Sequence, residues 1–218
     1  GDLIAIDFRR KLYDRPANQY GMEIEGIQEG RKVRLVRPRD RFFGYRWGLG
    51  LFKYRACNFC DDVLAETADA TVGDAWLPQY VDDPAGNNVF VIRHPVVREW
   101  VEQAAAEGRL KIDPLEADDV ARSQEAGLRQ RREHLAYRLA RTDAQGLWRP
   151  PKRVDPSDSH LSDWYRGICD LRLQIEPESH RAFAEALEAG DLDVFIRRLA
   201  PMTEKYAAHY RRRESGAI

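Results

Sequence analysis

Apolar and polar residues alternate in the middle of LIAIDFRRK (Ile6 to Arg9) and again in RKVRLVRPR, where Val33 and Leu35 alternate with charged residues, and both stretches read as strands. MEIEGIQEGR lies between them with Gly26 and Gly30 as turn signals, so residues 1–40 are expected to form a small antiparallel unit. DRFFGYRWGLGLFKYRA, rich in aromatics and glycines, reads as a loop or irregular strand. Beyond the cysteines of CNFC, DDVLAETA suits a short helix with Asp61 and Asp62 at its positive end, and DATVGDAW a buried strand ending in a turn. VDDPAGNN has loop composition, and NVFVIRH, Asn88 to His94, is a nearly continuous apolar strand. In PVVREWVEQAAAEGR, Pro95 stands at a helix start, Val97, Trp100, Val101 and Ala104 recur at helical spacing, and Gly108 ends the run. LKIDPLE is expected to add a further strand.

The polar segment DDVARSQEAGLRQRREHLAYRLARTD, with Leu128, Leu135 and Leu139 as its stripe, predicts a long surface helix. A Pro-rich break, WRPPKRVDPSDSH, precedes a final helical region punctuated by Gly190 and Pro201. The expected fold is therefore α/β (α+β): a mixed β-sheet covered by helices, with a helical C-terminal segment. The expected organisation is one domain over residues 1–150 and a helical extension over 151–218.

Charge narrows the function classes. Lys and Arg (35) nearly cancel Asp and Glu (36), so the chain as a whole offers no electrostatic footprint for nucleic acid or an anionic membrane. No apolar run approaches the roughly 20 residues of a membrane span. Three cysteines without a framework of spacings argue against a secreted disulfide scaffold, and a cytoplasmic location is expected. The chain enters directly on a strand without an initiator Met, which suggests an upstream half.

Two of the three cysteines, Cys57 and Cys60, are spaced C-x-x-C. Such a pair can ligate zinc or an iron–sulfur cluster, form a redox disulfide, or be two packed residues in a turn. A zinc site needs two more ligands and a cluster usually two more cysteines, whereas only Cys169 and five scattered histidines remain. Half a cluster site, completed by a segment outside the chain, is the sharper candidate. Cys169, among the apolar residues of YRGICDLRL, is expected to be a buried small hydrophobe.

Taken in order, FRRK, C-x-x-C-x-D (Cys57 to Asp62), ETADATVGDAW and GNNVFVIR resemble the C-terminal domain of the coenzyme F-420 (deazaflavin) hydrogenase/dehydrogenase beta-subunit family, over roughly residues 1–150, in its bacterial branch. The resemblance implies a flavoprotein subunit that moves electrons between an iron–sulfur cluster and a flavin, to or from a deazaflavin or another soluble carrier. It implies Cys57 and Cys60 as two ligands of a 4Fe-4S cluster whose others lie outside this chain, and FAD in preference to FMN. The partners it implies are the upstream half of the same protein or other oxidoreductase subunits, a small electron carrier and, as one arrangement, a homodimer.

Individual residues fit that chemistry and also have plainer uses. The Gly73–Asp74 turn is a place for close backbone approach to a flat ring, or an ordinary tight turn. Trp76 can stack on a ring or sit in a core. Asn87 and Asn88 can bond ring or ribose edges, or shape their loop. Arg9, Arg10, Lys11 and Arg93 can neutralise a diphosphate or edge a solvated strand. There is no G-x-G-x-x-G and no Walker loop, so a flavin would be held in a non-Rossmann manner. The competing reading is a zinc-binding or interaction module without catalysis, or an inactive C-terminal fragment of the oxidoreductase.

Overall fold

The computed structural model describes residues 1–214, which divide into two units, residues 1–41 with 62–127 and residues 42–61 with 128–214. In the first unit, β1 (Asp2–Arg10), β2 (Gly21–Gln28) and β3 (Arg31–Pro38) form the expected antiparallel sheet in the order β1-β2-β3. The hairpin turn is Glu29–Gly30, both at positive φ (52° and 73°), the twist-compatible geometry of a two-residue loop. Ile6, Ile24 and Leu35 fall in register across the three strands.

A second antiparallel pair joins β4 (Ala70–Asp74) to β5 (Asn88–Ile92). Between them lies the short helix α1 (Pro78–Val81), and after them α2 (Pro95–Ala106) with Pro95 in its first turn, as expected. Buried Ala75, Leu77, Val89 and Ala104 pack this part of the unit. Helix α3 (Ala117–Ser123) follows, and the chain passes into the second unit within α4 (Glu125–Arg131).

Two local expectations fail here. LKIDPLE alternates, but no strand pairs with it, and Leu110 and Ile112 stay 43% and 52% exposed. DDVLAETA is a turn rather than a helix. The Asp62 carboxylate accepts from the backbone N–H groups of Leu64 and Glu66, each at 3.0 Å, and Ala65 adopts φ 47°. A side chain that caps its own following backbone competes with the helix.

The second unit is built on a hairpin of α6 (Asp163–Ala189) and α7 (Leu192–Glu214). Ser162 caps α6 at one end and Gly190, in the left-handed region at φ 62°, ends it. The helices run antiparallel: Trp164 Nε1 donates to His209 O at 2.9 Å, tying the start of one to the end of the other. Ile168, Leu171, Ile175 and Tyr206 form one buried cluster, and Ala182, Ala186, Phe195 and Leu199 another. Pro201 is accommodated inside α7 rather than ending it.

Residues 42–61 lie along α6 as a strap. Arg172 Nε donates to Gly48 O at 2.5 Å, and Phe52 N donates to the buried Ser179 Oγ at 2.8 Å. A Cβ on Gly48 would sit 2.7 Å from Tyr206 Oη, so only glycine fits that crossing. Helix α5 (Glu133–Ala144) fills the remaining side. It is no surface helix: His134 through Leu139 are all buried. Arg138 enters the interior because Nε and Nη2 donate to the carbonyls of Asn58 and Gln130 at 3.0 and 3.1 Å.

Cys169 is 2% exposed and burial pushes its thiol up to about 11. A thiol titration of the native protein is accordingly expected to show a fast phase from exposed Cys57 and none from Cys169, whose signal appears only on denaturation. Three thiols reacting in the native state would contradict this packing.

Candidate functional site

Arg55–Phe59 form a 3-10 turn in which Cys57 N donates to Tyr54 O at 2.9 Å and Cys60 N to Cys57 O at 3.3 Å. Residues three apart in such a turn lie one above the other, so Cys57 and Cys60 share a side. Cys57 is exposed, Cys60 half-buried, and neither is in a disulfide. The two residues between them point inward. Phe59 packs on Leu135 and Leu139, and Asn58 Nδ2 donates to Glu176 Oε2 at 2.6 Å.

Lys53 Nζ bonds the other Glu176 oxygen at 3.2 Å, closing a buried network beneath the turn. The carboxylate of Asp61, the residue next to Cys60, is paired with Lys152 at 3.4 Å and Arg153 at 3.2 Å. Among the described residues no group of three or more His, Cys, Asp or Glu is placed to hold a metal ion. The pair thus offers two ligand positions, and a cluster or zinc would need others from elsewhere.

The first unit gathers most of the remaining candidates at one end of the β4–β5 pair, where Asp74 stands opposite Asn88. Arg9 Nη1 and Nη2 fork onto Asp74 Oδ2 and Oδ1 at 2.9 and 3.0 Å. The same guanidinium lies 4.8 Å from the Tyr20 ring centroid and 5.8 Å from that of Trp76, whose side is partly open. Asn87 O accepts from Ala75 N at 3.0 Å and its side-chain amide donates to Asp83 Oδ2 at 3.1 Å. Lys11 Nζ reaches the neighbouring Gly86, coming within 2.7 Å of where a Cβ would stand. Arg10 instead pairs with Glu23 at 3.0 Å.

Gly73 needs no positive φ, and a Cβ there would meet only Gln124, with Nε2 at 3.6 Å, which is ordinary contact. Among the described residues nothing demands glycine at that position. Arg93 sits at the opposite end of β5. It donates to Ala68 O and Thr71 Oγ1, both at 3.0 Å, and to Leu64 O at 2.9 Å, so it braces the loop that Asp62 caps.

Residues 8–118, just over half of the chain, match the model of the family described as the C terminus of the beta subunit of coenzyme F420 hydrogenase/dehydrogenase. The chain belongs to this family. No curated protein and no solved structure gives a match.

Membership in the coenzyme F420 hydrogenase/dehydrogenase beta-subunit family makes this a redox-related domain, with other oxidoreductase subunits as its partners. The matched region contains the cysteine turn and the whole β4–β5 pair, and stops before α5, α6 and α7. Among the described residues no helix is long and apolar enough to cross a membrane. Tyr20, Gln124, Lys53 and Glu176 carry no signal in the sequence. Each stands alone in a segment without motif character, and only the fold carries them to the turn or the sheet end. Gln124 Nε2 donates to Asp74 O at 2.7 Å across 50 residues.

Proposed function

We propose that the chain is the part of a flavin- and iron–sulfur-dependent oxidoreductase that contributes two cluster thiolates, Cys57 and Cys60, and one wall of a flavin site. The observation that carries this reading is the turn itself: in a chain of this family, both residues between the cysteines are buried anchors while the cysteines share the outer side. A turn fixed from beneath presents two thiolates at constant separation, which a 4Fe-4S cluster requires.

At the sheet end, Arg9 and Lys11 supply the positive charge for the diphosphate of an FAD. Gly73 leaves room for a flat ring to approach, while Trp76, Asn87 and Asn88 offer stacking and polar edges. Asp74 aims Arg9 by its forked pair and would yield it to a phosphate, since guanidinium geometry suits either anion. Arg93 keeps the loop before β4 in shape. A bound cluster supplies one-electron steps and a bound flavin one-electron or hydride chemistry, whereas the protein holds, orients and tunes them. The missing ligands come from the upstream half or another subunit, with a deazaflavin or another soluble carrier as the exchange partner.

The test is anaerobic purification of the longest natural form of the protein, with iron, sulfide, zinc and flavin quantified. Iron and flavin should be present, the Cys57→Ser/Cys60→Ser double variant should lose iron while keeping its circular dichroism, and Arg9→Ala should lower flavin without changing iron. A preparation holding stoichiometric zinc, or no metal and no flavin, would overturn the reading in favour of an interaction module.

A further inference from the structure

We infer that the second unit binds a small organic anion, a carboxylate or a phosphate monoester on an apolar body, in the cavity between the strap and helices α5 and α6, with Arg138 and Arg141 as its anchors. The cavity has a volume of about 630 Å³, within the range that encloses small-molecule ligands. It lies within one compact unit, and nothing in the cluster or flavin reading is needed for it.

The cavity lining is positively charged. Four cationic side chains line the cavity, Lys53, Arg55, Arg138 and Arg141, against two carboxylates, Asp170 and Glu176. Both oxygens of Glu176 are already taken, one by Lys53 and one by Asn58. Asp170 accepts from Tyr137 Oη at 3.1 Å on each oxygen, and Arg141 stands 3.8 Å away, beyond hydrogen-bonding distance. Two positive charges remain in surplus.

Arg138 has an unusual environment for a guanidinium. It is 4% exposed, yet its only acceptors are two neutral backbone carbonyls, and among the described residues no carboxylate approaches it within 4.0 Å. Among the described residues Nη1 has no hydrogen-bond partner. The nearby Glu176 charge is felt by Arg138 but is held by Lys53 and Asn58; a buried guanidinium with no carboxylate in contact is costly, and an anion in the cavity would supply one. Burial lowers its pKa only to about 10, so it keeps its charge at neutral pH.

Arg141 follows three residues later on α5, the spacing that places two side chains on one helix face, and it lines the same cavity. Two guanidinium groups on one face can grip an oxyanion from two directions. Phe59, Leu147, Leu173 and Pro177 supply apolar wall, which favours an organic anion over a bare inorganic one. Asn58 and Phe59, the two residues enclosed by the C-x-x-C, belong to that wall, so a bound ligand would rest directly against the cysteine turn.

The test is calorimetric titration of the full chain with phenyl phosphate, benzoate and inorganic phosphate, three probes that separate the oxyanion from its body. Saturable one-to-one binding of phenyl phosphate or benzoate is expected, with inorganic phosphate at least tenfold weaker; whichever aromatic anion binds tighter identifies the headgroup. Arg138→Gln and Arg141→Gln should each weaken binding at least tenfold. Arg141 is 48% exposed in its side chain, so Arg141→Gln stays informative even where Arg138→Gln fails to fold. No saturable binding by either aromatic anion, or binding unchanged in Arg141→Gln, would overturn the inference.

Discussion

Replacing Glu176 by alanine is expected to destabilise the second unit by about 3 kcal/mol, the lower end of the cost of breaking a buried ion pair by removing one partner. The Glu176 side chain is 6% exposed and that of Lys53 22%. Burial already lowers the Lys53 pKa, and the Glu176 charge and hydrogen bond are what oppose that shift. Without Glu176, Lys53 keeps its desolvation penalty and loses its partner, while Asn58 Nδ2 loses its acceptor and the strap one of its ties to α6. Residual exposure of the ammonium keeps the effect at the lower end. Glu178, two residues on, makes an instructive control. Its pairs with Arg181 and Arg198 involve arginines 61% and 43% exposed, so Glu178→Ala should cost no more than about 1 kcal/mol. Urea unfolding followed by far-ultraviolet circular dichroism at pH 7 measures both. Equal losses in the two variants would show that the network beneath the cysteine turn contributes no more than a surface pair.

Acid should unfold the second unit through His134 before the carboxylates are protonated. The imidazole is 4% exposed; Nδ1 donates to Gln130 Oε1 at 2.9 Å, which also accepts from Arg172 at 2.7 Å, and Nε2 is buried with no hydrogen-bond partner among the described residues. Burial, reinforced by the charges of Arg172, Arg138 and Arg129, pushes its pKa down to about 3 from the ordinary 6.5. The folded state is therefore the weaker proton binder. Its stability is whole above pH 6.5 and falls by roughly 1.4 kcal/mol per pH unit below that, until the folded ring itself titrates. His134→Gln keeps a side chain able to bond Gln130 and cannot gain a proton. Its urea midpoint should stay flat from pH 6.5 to 5 where the wild type declines. Parallel pH profiles for the two proteins would rule His134 out as the cause.

What could be read from the sequence follows from where the determining interactions lie. β1, β3, β4, β5 and α2 were legible because period, the turn glycine Gly30 and a helix-opening proline act within a few residues, whereas Gly26, which reads as a turn signal, lies inside β2 opposite Val33. α5 was not, because its arginines and histidine read as a solvated face. Arg138 and His134 are buried only because carbonyls and amides from other segments accept from them, Asn58 at a distance of 80 residues. The cysteine pair and the Gly-Asp turn were recognisable as motifs. The pairing of Arg9 with Asp74 joins residues 65 apart and has no local signature, and neither does the role of Arg93 as a brace. Asn58 and Phe59 stood in plain sight as the spacer of C-x-x-C, yet they are the anchors that decide which way the cysteines face.

The strap has a consequence for the order of events during synthesis. Its ties to α6 span 118 to 127 residues: Asn58 to Glu176, Gly48 to Arg172, and Phe52 to Ser179. At about 5–20 residues per second, the cysteine turn leaves the ribosome roughly 6 to 25 s before the helix that fastens it. During that interval the two thiols are carried on an open chain, accessible to loading factors or to oxidants. Closing of the helical hairpin then ends that interval and fixes the spacing of the pair.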